Sequence, residues 1–154
     1  MTVWWITLAS SYLLCLVAGM NAKTVYSNGY YTKKYNKFFS FMSVAILVLV
    51  AGLRSGIGDT PTYIQGYKTD APSTIAGSIK LLFSGKKDAG FYFYQGILKS
   101  IVNNPNVFIF VTSLITIVLI FITYYKYSQL LELSVFLFIT TGCYLVTMNG
   151  IRQY

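Results

Sequence analysis

Four long apolar runs without a charged residue constrain this chain more than any other feature of its sequence. They cover residues 3–20, 38–53, 107–125 and 133–150. A helix rises about 1.5 Å per residue, so a run of about 18 residues reaches about 27 Å and nearly matches a hydrocarbon core of about 30 Å. The runs predict an all-α fold, a multi-pass helical membrane bundle with about four transmembrane helices, in a single membrane domain over residues 1–154.

The charge composition agrees with a membrane protein and excludes several other classes. Only 10% of the 154 residues are charged, against about 25% in soluble domains. The basic residues avoid the apolar runs and do not form the one-sided cluster that a nucleic-acid groove needs. The absence of histidine excludes His-based metal sites and Ser–His–Asp triads. Cys15 and Cys143 lie within apolar runs and predict no disulfide. We therefore expect no nucleic acid, no metal and no cofactor.

The loops predict which way the bundle faces. The first loop carries four lysines and no acidic residue, and short loops of this kind stay in the cytoplasm. The N-terminus is then predicted outside, and residues 54–106 form a long second loop on the outer side. By the same alternation Arg152 emerges on the outer side.

We predict that the second loop is folded, because apolar residues recur in it with helical spacing. Three short amphipathic helices are expected. The first opens at Thr60-Pro61, the second is capped by Ser73, and the third is capped by Asp88. Such helices lie in the headgroup region or fold over the mouth of a bundle. That the second and third only cover the interface remains an alternative.

Charged residues and glycines cluster in the stretch GLRSGIGDTPTY, directly after the second apolar run. Arg54 carries a fork-shaped guanidinium, which suits a phosphate or diphosphate. Gly56 and Gly58 permit positive φ and a close approach of backbone N–H groups to a ligand. Asp59 precedes a helix whose positive end attracts anions. The alternatives are that Arg54 is a snorkelling anchor and that Asp59 is only a helix cap.

A second arginine is predicted at the same face of the membrane. Arg152 follows the fourth apolar run, about a hundred residues after Arg54. We expect Asp59 to pair with either arginine, and a lipid phosphate is a third candidate partner. Arg152 as a simple interfacial anchor is the alternative.

Three stretches, taken together and in this order, resemble the EpsG family of bacterial polysaccharide polymerases, a Wzy-like group. They are GLRSGIGDTPTYIQGY, DAGFYFYQGILKSIVNNPNVFIFVTSLIT and MNGIRQY, and the resemblance covers most of the chain beyond about Val44. Family members are longer, with further spans after the Arg-Gln motif. We therefore expect this chain to be the N-terminal part of such a protein, which leaves open whether it is an active enzyme by itself.

The resemblance implies a function. Oligosaccharide repeat units carried on undecaprenyl diphosphate would be polymerised into an exopolysaccharide, capsule or O-antigen-type glycan by glycosyl transfer. The reaction would occur at the outer face of the bacterial cytoplasmic membrane. Expected partners are the lipid-linked oligosaccharide substrate, the bilayer and other membrane proteins of polysaccharide assembly.

This reaction, applied to the matching residues, implies their roles. Arg54 and Arg152 are predicted catalytic residues that neutralise the departing diphosphate. Asp59 is predicted either to accept the proton of the attacking hydroxyl or to orient Arg54.

Other residues are predicted to bind substrate. They are Gly56, Gly58, Tyr63 and Gln153. The loop aromatics Tyr67, Phe91, Tyr92 and Tyr94 are candidates for a sugar platform, although tyrosine and phenylalanine are common at any membrane interface.

Two other functions remain as alternatives. One is a transporter or flippase for lipid-linked sugars, which would place polar groups at mid-membrane. The apolar runs carry no charge at depth, and this disfavours a flippase. The other is a small non-catalytic membrane protein whose charges only anchor it.

Overall fold

The computed structural model describes residues 2–27, 30–83, 85 and 88–149. The elements follow in the order α1 (Thr2–Met20), β1 (Lys23–Ser27), β2 (Tyr30–Lys34), α2 (Lys37–Gly52), α3 (Thr60–Thr69), α4 (Ile75–Leu82), α5 (Ala89–Ile101), α6 (Pro105–Tyr127), α7 (Leu131–Thr140) and α8 (Cys143–Asn149). The fold is predominantly α-helical, as the apolar runs predict. The antiparallel hairpin of β1 and β2 was not predicted.

The predicted number of transmembrane helices is not confirmed. In the described part of the chain, α1 and α6 are long and apolar enough to cross a membrane. Helix α2 has only 16 residues, which corresponds to about 24 Å. The expected fourth span is broken, because α7 and α8 meet at an angle of 57°. The described residues thus hold two candidate spans, or three if the bent pair counts as one.

The break between α7 and α8 has a local cause. Gly142 has a φ of 83°, in the left-handed region that residues other than glycine rarely adopt. Thr141 is the C-cap that follows α7, and its backbone N–H donates to Leu137 O at 2.9 Å. The apolar run therefore continues in sequence while the helix axis changes direction.

The core of the bundle lies between α1, α2, α6 and α7. Small residues allow these helices to approach closely. A Cβ atom at Gly52 would overlap the ring of Phe110 on α6. Cys15 on α1 lies 3.2 Å from the Ser43 hydroxyl on α2. Both cysteines are free thiols.

One end of the bundle is held together by Tyr35, and we call it the hairpin end. It comprises β1, β2, the first turn of α2 and the turn at residues 128–130. Tyr35 is 2% exposed. Its hydroxyl donates to Gln129 O at 2.8 Å and accepts from Leu131 N at 2.9 Å. The hairpin is therefore tied to the turn between α6 and α7.

The opposite end carries α3, α4 and α5, the three helices predicted for the second loop. Their first residues differ slightly from the prediction: Asp59 is the N-cap of α3, and Thr74 is the N-cap of α4. Asp88 is the N-cap of α5, as predicted, although its side chain makes no capping hydrogen bond. Caps and helical spacing were thus sufficient to find the helices.

Helices α3 and α5 fold over the start of α6. Tyr67 of α3 stacks on Phe108 of α6, with ring centroids 4.8 Å apart, and Tyr94 of α5 packs on the same ring. Helix α4 packs against α5, where Ser78 lies so close to Gly96 that a Cβ there would overlap its hydroxyl. The apolar side chains of α4 that remain exposed are Ile75, Ile79 and Leu82.

Candidate functional site

The guanidinium of Arg54 lies inside the protein, just beyond the end of α2. Arg54 is only 7% exposed. Its four hydrogen bonds go from Nη1 to Ala51 O (2.7 Å) and Ser113 Oγ (2.9 Å), from Nε to Thr60 Oγ1 (2.9 Å), and from Nη2 to Met148 O (2.8 Å). The side chain therefore connects α2, the start of α3, α6 and the end of α8.

This position suits a cation, because two helices end beside it. The last four carbonyl groups of a helix have no partner within the helix, and they carry a partial negative charge. Ala51 lies in the last turn of α2 and Met148 in the last turn of α8. Arg54 thus caps two helix C-termini with one planar group.

The burial of Arg54 argues against the snorkelling anchor that was one alternative for it. A snorkelling anchor extends its charged group to the headgroups, whereas this guanidinium is enclosed by protein oxygens. Burial lowers the pKa of Arg54 from its ordinary value, but an arginine stays protonated in proteins. Asp59 is not among the hydrogen-bond partners found for Arg54 in the described residues. A neutral oxygen accepts each of these bonds.

The two predicted motifs meet at Gly58 and Asn149. Gly58 has a φ of 56°, and a Cβ at this position would overlap Asn149 Oδ1. The Tyr63 hydroxyl donates to Asn149 O at 3.2 Å. At Gly56, in contrast, an added Cβ would have no neighbour within 4 Å, and the φ of this residue is not positive. Only one of the two predicted glycines therefore requires its special backbone freedom.

Arg152 and Gln153 lie outside the described residues. Asn149, the last described residue of α8, precedes Arg152 by three positions. The described part of the C-terminal motif, Met148 and Asn149, contacts Arg54, Gly58 and Tyr63.

A groove of about 300 Å³ runs between α3 and α5. Asp59, Thr62, Tyr63, Gly66 and Asp70 line one side, and Phe91, Tyr92 and Gln95 line the other. The first group recurs at intervals of three or four residues, which places it on one face of α3. Asp59 makes no side-chain capping bond. Its carboxylate is therefore not used as a helix cap and lies at the groove.

The four aromatics predicted as a sugar platform divide into two groups. Phe91 and Tyr92 line the groove, together with Tyr63. Tyr67 is 1% exposed and its hydroxyl donates to Val102 O. The Tyr94 hydroxyl bonds to Thr112 on α6. Tyr67 and Tyr94 do not line the groove, and both complete the contact between the short helices and α6.

A sequence model of the EpsG family matches residues 37–154, which is well over half of the chain. This chain belongs to the EpsG family. Its membership and its apolar helices identify a membrane protein of polysaccharide biosynthesis. No curated protein and no solved structure matches the chain significantly.

The matched part of this EpsG-family chain contains the whole site. The match begins at Lys37, the first residue of α2, so Arg54, the groove and the C-terminal motif all lie within it. Helix α1 and the hairpin precede it. The family relationship therefore bears on the end of the bundle opposite the hairpin end.

Sequence reasoning missed several residues of the site, among them Ser113, Asp70 and Gln95. Ser113 lies in the middle of an apolar run, and nothing local indicates that Arg54 donates to it. Asp70 and Gln95 had a signal that was not used. Asp70 shares the helical face of Asp59 and Tyr63, and Gln95 follows Phe91 by one helical turn.

The described residues contain no group of three or more Cys, Asp and Glu side chains that could hold a metal ion. The chemistry available at the groove is that of carboxylates, one amide and aromatic rings.

Proposed function

We propose that this EpsG-family protein joins oligosaccharide repeat units, carried on undecaprenyl diphosphate, into a polysaccharide by glycosyl transfer at the outer face of the cytoplasmic membrane. The observation that supports this most is the groove between α3 and α5. It presents the Asp59 carboxylate next to the rings of Tyr63, Phe91 and Tyr92. Carboxylates and aromatic rings are the groups that hold and activate sugar hydroxyls.

The proposed step requires one proton acceptor. A hydroxyl oxygen of one unit attacks the anomeric carbon of another, and the bond between that carbon and the diphosphate oxygen breaks. Asp59 accepts the proton of the attacking hydroxyl, and the lipid diphosphate leaves with the electron pair. The glycosyl–diphosphate bond is already activated, so no nucleotide is consumed.

The two arginines have different roles in this proposal. Arg54 is a positioning residue, because its guanidinium holds Thr60, which follows Asp59, and the end of α8. Arg152 neutralises the departing diphosphate, with the bidentate geometry that guanidinium groups offer to phosphates. Gln153, next in the chain, hydrogen-bonds to the sugar.

The proposal is tested by Asp59→Asn, expressed in cells that carry no other copy of the gene. Asparagine has nearly the same shape but cannot accept the proton. We expect polymer formation to fall by about a hundredfold or more, as for the loss of a general base. Polymer length and amount are measured on gels at equal protein levels. Arg152→Lys, which keeps the charge but loses the fork, is expected to reduce polymer as well.

Asp88→Asn is the matched control. Asp88 lies in the same loop but not at the groove, and asparagine tolerates its left-handed backbone conformation, with a φ of 63°. Normal polymer in the Asp59→Asn variant would contradict the proposal. Accumulation of single repeat units on the inner leaflet would contradict it too, because that result indicates a flippase.

A further inference from the structure

The groove between α3 and α5 has a charge opposite to that of the whole chain. The chain carries a net charge of +8, with only four acidic residues. Two of those four, Asp59 and Asp70, line the groove, and no lysine or arginine is among its described lining residues. Like charges repel, so a groove lined by two carboxylates disfavours an anionic ligand.

A buried polar group without a partner points to a ligand in the same groove. Gln95 is 2% exposed and lines the groove from α5. Its Oε1 atom accepts no hydrogen bond from any described residue. Buried polar atoms are nearly always paired, and an unpaired one is costly. A ligand hydroxyl or amine in the groove would supply the missing donor.

The groove also offers a surface for the apolar side of a ligand. Tyr63 and Phe91 line the groove and contact each other edge to face, with ring centroids 6.2 Å apart and planes at 64°. Gly66 lies between Tyr63 and Asp70 on the α3 face and contributes no side chain, which leaves room between the helices. A volume of about 300 Å³ falls within the range of small-ligand pockets, about 300–1,000 Å³.

We propose that this groove binds a sugar residue that carries no negative charge, either neutral or amino-substituted. The inference rests on the proposed function and names the kind of sugar its site accepts. Asp59, Asp70 and Gln95 accept hydrogen bonds from hydroxyl or ammonium groups, and the rings contact the C–H face of the sugar. A uronic acid would place a third carboxylate beside Asp59 and Asp70, and it should bind more weakly.

The test measures binding of methyl glycosides to the purified protein in detergent micelles, by saturation-transfer NMR titration. The probes are methyl glucoside, methyl glucosaminide and methyl glucuronide. We expect methyl glucoside and methyl glucosaminide to bind, and methyl glucuronide to bind at least about tenfold more weakly. The repulsion between like charges at close approach is large enough for a difference in affinity of this size. Asp70→Asn should reduce this difference several-fold.

Gly66→Leu assigns the binding to the groove. A Cβ at Gly66 would meet only Asp70 Oδ2, at 3.8 Å, so the helix accommodates a side chain that then fills the groove. We expect glycoside binding to be lost. Gly90→Leu is the matched control, because Gly90 lies on α5 in open space and does not line the groove. It should bind as the unchanged protein does, and thermal unfolding checks that both variants fold.

Three results would overturn the inference: no binding of any glycoside, equal binding of the glucuronide, or binding that Gly66→Leu leaves intact. The measurement needs neither a lipid-linked unit nor glycosyl transfer. Selective binding together with normal polymer in the Asp59→Asn variant would therefore refute the proposed function alone. Loss of polymer without selective binding would refute this inference alone.

Discussion

At the hairpin end Tyr35 ties the β-hairpin to one turn. At the opposite end, which carries α3, α4 and α5 and which we call the site end, Arg54 ties together parts of four helices. The Tyr35 hydroxyl offers one donor and one acceptor, and it uses both on the turn between α6 and α7. The Arg54 guanidinium offers only donors and reaches carbonyls at the ends of α2 and α8. The comparison teaches that a junction of helix C-termini calls for a cation, while a single turn is closed by a neutral hydroxyl.

The cavities at the two ends also differ in charge. At the hairpin end, a cavity of about 240 Å³ is lined by Lys23, Lys34 and Lys37. At the site end, the groove is lined by Asp59 and Asp70. The four lysines of the short first loop favour a cytoplasmic position for the hairpin end by the positive-inside rule, which counts lysine and arginine and not net charge. The orientation itself stays a prediction.

The largest effect is expected from Arg54→Ala, at the junction of four helices. It leaves the buried Met148 O without its Arg54 donor and leaves Ala51 O with only the longer bond from Ser113 Oγ, at 3.4 Å. We expect a loss of about 3 kcal/mol or more in the free energy of unfolding, since each unsatisfied buried group costs about 1–3 kcal/mol. Thermal or denaturant unfolding in detergent measures it. Arg54→Lys should lose less but still destabilise, because one ammonium cannot reach all the acceptors. An unchanged stability in both variants would remove the contrast between the two ends.

Gly58→Ala should have the next largest effect. The backbone conformation at Gly58 costs alanine about 1–2 kcal/mol, and the added methyl overlaps the side chain of Asn149. We expect a total loss of about 2–3 kcal/mol in the same unfolding measurement. Gly56→Ala, two residues earlier, should stay within about 0.5 kcal/mol. Equal losses in the free energy of unfolding for Gly58→Ala and Gly56→Ala would show that the close contact between Gly58 and Asn149 does not limit the side chain at position 58.

Tyr35→Phe tests the hairpin end. It removes the acceptor of the buried Leu131 N–H, and we expect a loss of about 1–2 kcal/mol. Glycoside binding at the groove should not change, because Tyr35 lies at the opposite end of the bundle. A stability loss as large as that of Arg54→Ala, or weaker glycoside binding, would show that the two ends are not independent.

The smallest effect on stability, within about 0.5 kcal/mol, is expected from single exposed cysteines that report sidedness. In a Cys143→Ser background, Lys34→Cys places a thiol at the hairpin end and Lys68→Cys places one on α3. A membrane-impermeant thiol reagent should label position 68 in intact cells and position 34 only after lysis. The reverse pattern would contradict the predicted orientation.

The helices with strong local signals were predictable from the sequence. Charge-free runs indicated α1, α2 and α6, and caps with helical spacing indicated α3, α4 and α5. The break at Gly142 was missed, because hydropathy reports that a run is apolar and not whether its axis bends. The hairpin was missed because its loop was interpreted only by charge, although the Asn-Gly dipeptide between two Tyr-rich stretches is a hairpin signal.

The site was predictable in its members more than in their contacts. The motif pointed to Arg54, Gly58, Asp59 and Tyr63, and all four lie at or next to the junction of α2, α3 and α8. The partners of Arg54 were not predictable. Ser113 and Met148 lie 59 and 94 residues away in the chain, and only the packing of the helices brings them within hydrogen-bond distance.

The double attachment of Arg54 has a mechanical consequence. One rigid, planar group holds both Thr60, the residue after Asp59, and Met148, close to where α8 leads toward Arg152. A displacement of the end of α8 is therefore expected to displace the first turn of α3 as well. The position of Asp59, one residue before Thr60, is thereby tied to that of the end of α8.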